Sequence, residues 1–229
     1  MGEIQRIKKA YAKRDCLRKG SLYTFFNPSS LYISQQRERE ILKALIRFGI
    51  RDITDKNILD LGCGTGGVLR DFLKYGARSE NCHGIDLLPD RIETAKSLSP
   101  NIDFICGNAE ALPHANEFFD IILCFTVFTS IFDKGMKQNL SREMLRVLKH
   151  DGIILYYDYH VNNPRNPDVQ GVKKAEIHEL FPNCKIDLKR ITLAPPLARA
   201  IAPISVIACQ ILEKIPLLCT HYLGVIKKR

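Results

Sequence analysis

The chain has 229 residues, of which 45% are hydrophobic and 26% charged, with little glycine or proline bias. That composition excludes a disordered, collagen-like or disulfide-framework protein and allows one domain with a substantial core. The net charge of +9 is uneven: residues 1–51 carry twelve Lys/Arg against four Asp/Glu, residues 189–229 seven against one, and the centre fifteen against twenty.

Taken in chain order, residues 3–19 and 29–48 read as helices on either side of the aromatic, turn-like stretch YTFFNPSS (23–30). Residues 1–51 are expected to form a helical cap on the domain that follows at 52–229. KNILDLG (56–62) is a short apolar strand. GGVLRDFLKYGA (66–77) reads as a helix with Val68, Leu69, Phe72 and Leu73 on one face, ended by Gly76. CHGIDLL (82–88) is a second strand, and Pro89 opens a helix in its first turn. IDFICG (102–107) and FFDIILCFTVF (118–128) supply a third and fourth strand, the latter too apolar to face water. MKQNLSREMLRVLK (136–149) is an amphipathic helix, GIILYYDYH (152–160) a fifth strand, GVKKAEIHELF (171–181) a helix and KIDLKRITL (185–193) a sixth strand. HYLGVIKK (221–228) makes a seventh. Residues 194–220 between the last two are expected to be a helical insertion, with its helix between Pro203 and Pro216. Gln210, Glu213 and Lys214 interrupt it and leave its apolar run too short to span a bilayer. Apolar strands alternating with helices predict an α/β fold: a Rossmann-like, seven-stranded, mostly parallel sheet with helices on both faces, plus the N-terminal helical cap.

The eight cysteines form no C-x-x-C pair and none has zinc-like spacing with histidine, so buried thiols in a reducing, cytoplasmic setting are expected and no metal. The charged start, MGEIQRIKKAYAKRD, has no apolar run of leader length, and Arg6 breaks a myristoylation pattern after Gly2. Basic ends attract an anionic acceptor or surface. No RNA-binding motif accompanies them, and nothing in the sequence sets the oligomeric state.

The informative stretch is ILDLGCGTGG (58–67). In an open parallel sheet, ligands bind beyond the carboxyl ends of the strands, where this turn lies. Gly62, Gly64 and Gly67 fit G-x-G-x-x-G, which would suit a dinucleotide with its pyrophosphate at the next helix start. Asp60 argues against that: a carboxylate two residues before the first glycine opposes a pyrophosphate and suits a ligand bearing an ammonium group.

Asp60-x-Gly62-x-Gly64-x-Gly66 resembles the first motif of class I S-adenosylmethionine-dependent methyltransferases. GIDLLPDRI (84–92), GNAEALP (107–113), FFDIILCFTVFTSI (118–131) and EMLRVLKHDGIILYYD (143–158) resemble the segments that follow in that family, in order and at similar spacing. The resemblance implies S-adenosylmethionine as cofactor, held by Asp60, Gly62, Cys63, Gly64 and Gly66, by Asp86 and Leu87 at the ribose, by Asn108 and Ala109 at adenine, and by Phe125. Asn108 stands where the family usually has Asp. The ends of the chain resemble bacterial type-11 methyltransferases, which implies glycan or secondary-metabolite modification. The chemistry implied is displacement of the methyl by a nucleophile on a small molecule, with a hydroxyl oxygen expected. Asp158 and His160 after the fifth strand are candidates to take its proton, and read equally as loop anchors. Tyr23, Phe26, Thr126, Thr129 and Arg165 are candidates to line the acceptor. Two other readings remain open from the residues: an NAD-dependent oxidoreductase, since Asp86 would also serve NAD, and a non-catalytic basic binder of nucleic acid or a membrane surface.

Overall fold

The computed structural model describes residues 2–17, 24–163 and 166–229. Seven strands form one sheet: β1 (Ile58–Leu61), β2 (Cys82–Asp86), β3 (Asp103–Cys106), β4 (Phe119–Phe125), β5 (Leu148–Tyr159), β6 (Cys184–Leu193) and β7 (Cys219–Lys228). Their spatial order is β3-β2-β1-β4-β5-β7-β6. β1 to β5 are mutually parallel, and β7 lies antiparallel between β5 and β6. Strand order therefore reverses at β1 and β4, where an α/β sheet opens a crevice at its carboxyl edge.

Apolar strands are required here because both faces are covered. On one face, Leu59, Leu61, Cys124, Ile154 and Tyr156 pack with Ile7 of α1 (Glu3–Leu17), with Met136, Leu140 and Met144 of α5 (Lys134–Val147), and with Ile177 of α6 (Lys174–Leu180). On the other, Ile58, Leu123 and Leu155 meet Ile41 and Leu45 of α2 (Pro28–Arg47), Leu69 and Phe72 of α3 (Gly67–Lys74), and Ile92 of α4 (Pro89–Leu98). Full burial of a side chain such as Leu69 or Phe72 contributes about 1.5–3 kcal/mol. The two N-terminal helices thus sit on opposite faces of the sheet.

The insertion differs from its sequence expectation. It holds two short helices, α7 (Pro195–Ile201) and α8 (Val206–Leu212). Pro195 and Pro196 start the first, Pro203 follows its end, and the Ser205 hydroxyl accepts the Ala208 amide to start the second. Both rest on α2 through Tyr32, Ala198, Ala202 and Cys209. α5 begins two residues earlier than its apolar pattern, because the Asp133 carboxylate accepts the Met136 amide at 2.7 Å. No helix among the described residues is long and apolar enough to cross a membrane. Cys63, Cys82, Cys124, Cys184, Cys209 and Cys219 are buried free thiols, and Cys106 is exposed.

Candidate active site

The turn after β1 is built by backbone. The amides of Gly62 and Cys63 both donate to the Ile85 carbonyl, at 2.8 and 3.0 Å, which ties the turn to the end of β2. Gly62, Gly64 and Gly66 have φ of +75°, +54° and +77°, a region that side chains rarely adopt. At Gly66 a Cβ would lie 2.7 Å from the Phe104 ring, and at Gly62 2.9 Å from Val127 Cγ2. At Gly64 the space is open, with Arg91 Nη1 at 3.8 Å. Tyr11 of α1 lies against Arg91, its ring 4.5 Å from the guanidinium carbon. Side chains of α4 and α1 therefore stand over the glycine turn.

Two carboxylates face this turn. Asp86, at the end of β2, accepts the Gly64 amide on Oδ2 and the Leu88 amide on Oδ1, both at 2.9 Å. Each oxygen keeps a second lone pair, so the group is fixed and still able to accept ligand hydroxyls. Asp60 lies deeper than its sequence position suggested. It is buried beneath the turn, 1% exposed, and its Oδ2 has no hydrogen-bond partner. Burial pushes its pKa up to about 7; the nearby Asp86 adds to the rise and Arg37 opposes it. A buried carboxylate oxygen without a donor is costly unless a partner arrives. An ammonium-bearing ligand meets that need and a pyrophosphate does not. On this observation the residues fit the amino-acid tail of S-adenosylmethionine.

The other expected contacts are placed as follows. Ala109 is buried and Leu87 half-buried. Asn108 is caught in its own turn: its Nδ2 donates to Glu110 Oε2 at 2.9 Å and its Oδ1 accepts the Glu110 amide at 3.1 Å. Cys63 is buried, which pushes its thiol far up, so it is present as neutral bulk. Phe125 is buried at the end of β4, its ring 5.6 Å from that of Tyr157. Thr126 follows at φ +57°, half-buried, its amide donating to Tyr157 O at 2.7 Å. A β-branched residue held there is strained, and its neighbours over-determine the conformation.

The structure does not bring the remaining candidates to the crevice as free groups. Asp158 is fully buried. Its Oδ1 accepts the Thr129 hydroxyl at 2.6 Å and the Tyr159 amide at 2.9 Å, and its Oδ2 accepts the Thr129 amide at 3.1 Å. Burial raises its pKa to about 7 against these hydrogen bonds. The pair locks the loop after β4 to the end of β5, which engages Thr129's hydroxyl as well. His160 is buried with Nε2 donating to the Cys219 carbonyl at 2.9 Å, and burial lowers its pKa. Phe26 is 98% exposed and covers nothing. Tyr23 and Arg165 lie outside the described residues. Thr129→Val is expected to cost about 1–3 kcal/mol of stability, because it strips a donor from a buried carboxylate while keeping the shape. Chemical denaturation would measure it, and unchanged stability would contradict the anchor.

Three further residues, Arg37, Tyr157 and His221, meet one another at the end of β5. Arg37 of α2 lies 5.8 Å from the Tyr157 ring centre, and His221 of β7 stacks on the same ring at 4.7 Å. Burial, then neighbouring His160, pushes His221 down to about 3, so its ring is neutral. Spacing could not find this set, since it joins residues from α2, β5 and β7. Among the described residues, one group could also ligate a metal: His83, Asp103 and His114, with ligand atoms within 4.8 Å. It lies at the amino ends of β2 and β3, on the far side of the sheet from the glycine turn.

Residues 58–152 match the family model described as a methyltransferase domain. A solved structure of a SAM-dependent methyltransferase from Archaeoglobus fulgidus superposes with a TM-score of 0.58 at 14% identity, covering 87% of this chain and 98% of that one. The central segment of the chain is thus similar to a methyltransferase domain, and the chain shares the fold of that solved structure. It is 31% identical over 128 residues to norajmaline N-methyltransferase of Rauvolfia serpentina, covering 53% of this chain and 41% of that protein. It is 29% identical over 109 residues to the ubiquinone/menaquinone biosynthesis C-methyltransferase UbiE of Campylobacter jejuni, covering 46% and 45%. The chain thus spans less than half the length of these curated relatives.

Proposed function

We propose that this protein transfers the methyl group of S-adenosylmethionine to a small-molecule acceptor, at a hydroxyl oxygen. The observation that carries the cofactor assignment is the unpartnered Oδ2 of buried Asp60 beneath three left-handed glycines. Bound there, the cofactor supplies an activated methyl on a sulfonium whose leaving group is neutral. The chain's own work is to hold and orient. Asp60 and the glycine turn take the charged tail, Asp86 the ribose hydroxyls, and Asn108, Ala109 and Leu87 the adenine side. Phe125 and Val127 exclude water beside the turn. Alignment of this kind contributes up to about 7–11 kcal/mol to a two-reactant step.

The acceptor side is assigned to segments outside the matched domain: the N-terminal helices, read as a cap within the same domain, and residues 194–218. For that reason the N- and C-methylation named for the relatives does not carry over. Asp158 and His160 serve as positioning residues in this reading, since their polar atoms are bonded within the protein. The test is methyl transfer from labelled S-adenosylmethionine to panels of hydroxyl, amine and carbon-acid acceptors, beside thermal shift with S-adenosylhomocysteine and NAD. Labelled ether products with stabilisation by S-adenosylhomocysteine are expected. Stabilisation by NAD alone would overturn the reading, and labelled amine or carbon products would overturn its oxygen acceptor.

A further inference from the structure

The insertion between β6 and β7 also turns an apolar surface outward, which the cofactor assignment does not use. Ile204, Ile207, Ile211 and Leu217 are 86%, 70%, 61% and 85% exposed, and Val206 and Ile215 are exposed beside them. Single exposed apolar residues are ordinary; six aliphatic side chains within fourteen residues are not. The arrangement follows from the helix itself. Cys209 of α8 is buried against α2, so Ile207 and Ile211, four apart, share the opposite face. The Tyr32 hydroxyl of α2 donates to Cys209 O at 3.0 Å and to Glu213 Oε2 at 2.5 Å, which seats α8 beside the start of α2. Phe25 and Phe26, both exposed, immediately precede that helix.

The exposed charges within the insertion have one sign. Arg199 and Lys214 are exposed within the insertion, and its one carboxylate, Glu213, is held by Arg39 at 2.9 Å. The surface also faces a meaningful direction. β6 runs parallel to β1, so its last residue, Leu193, lies at the same edge of the sheet as the glycine turn. The insertion that continues from Leu193 therefore lies on the crevice's edge of the sheet, at its β6 end.

We propose that residues 204–217 dock the protein on an anionic lipid bilayer, with the crevice edge turned toward the membrane. Aliphatic side chains bordered by cations, with exposed Phe25 and Phe26 ahead of α2, suit the boundary between headgroups and acyl chains. The corollary rests on the methyltransferase reading: the acceptor is an amphiphile whose reactive end lies at the membrane surface.

The test is flotation with vesicles of phosphatidylcholine alone and with about 30% phosphatidylglycerol. The wild-type chain is expected to partition onto the anionic vesicles at least about tenfold better than the Ile207→Glu/Ile211→Glu variant. Ile204→Ser/Leu217→Ser should weaken partitioning in the same sense. Affinity for S-adenosylhomocysteine should be unchanged in both, which separates loss of docking from loss of fold and from failure of the cofactor assignment. Absence of flotation, or equal flotation of the variants, would overturn the proposal. So would a wild-type dimer that both variants convert to monomer in light scattering, since a second copy would then cover the patch.

Discussion

Replacing Asp86 with alanine is expected to weaken binding of S-adenosylhomocysteine by about a hundredfold or more while leaving the chain folded. The carboxylate is half-buried at the carboxyl end of β2, outside both main apolar clusters, so its removal opens no core cavity. Two hydroxyl-to-carboxylate bonds at about 1.5–3 kcal/mol each account for the expected loss. A second effect has the same sign. Asp86 accepts the Gly64 amide, so its loss also frees the turn that receives the ligand tail. Asp86→Asn keeps one acceptor oxygen and should fall between wild type and alanine. Calorimetric titration at a temperature well below unfolding separates affinity from stability. Unchanged affinity in the alanine variant would place the ligand elsewhere on the sheet.

The parts of this site legible in the sequence are those fixed by a single local segment. ILDLG had to be a strand buried on both faces, and a turn after it with three glycines had to pass close to something. The Gly62, Gly64 and Gly66 dihedrals are the physical content of that motif. Asp86 was legible because a strand end followed by Pro89 fixes where the carboxylate must stand. What spacing could not give are relations between segments. The short apolar run within residues 221–228 reads the same whether the strand is parallel or antiparallel, so the placement of β7 between β5 and β6 had no local signature. Thr129 and Asp158 lie 29 positions apart; Asp158 could be read as a loop anchor, but nothing local named Thr129 as its partner. Tyr11 meets Arg91 of α4 beside the glycine turn only because α1 packs on the sheet with Ile7. The charge pattern was also divided by the fold. Lys227, Lys228 and Arg229 end β7 at the edge away from the crevice, while Arg199 and Lys214 stand at the crevice edge, so the C-terminal basic segment does not make one field.

Affinity for S-adenosylhomocysteine is expected to rise with pH through about 7, and Asp60 is the cause. In the ligand-free protein this buried carboxyl holds its proton up to that pH. An ammonium group favours the ionised form, so binding below pH 7 must expel the proton, and affinity there falls by up to tenfold per unit. The stability of the ligand-free chain has the opposite slope. A carboxyl whose folded pKa is raised from 3.8 to about 7 contributes stability that is full below 3.8 and is lost as pH rises through 7. Asp158 contributes a slope of the same sign, so the informative quantity is the difference between wild type and Asp60→Asn. The asparagine variant should show a flatter stability profile and an affinity nearly independent of pH, with its largest loss, about tenfold or more, on the alkaline side. A dinucleotide would invert the result, because a pyrophosphate is repelled by ionised Asp60 and tolerated by the protonated form. Titrations between about pH 6 and 8 in buffers of different ionisation enthalpy would report both the slope and the proton released. An affinity that falls as pH rises, or that keeps its slope in Asp60→Asn, would remove the group on which the choice of ligand depends.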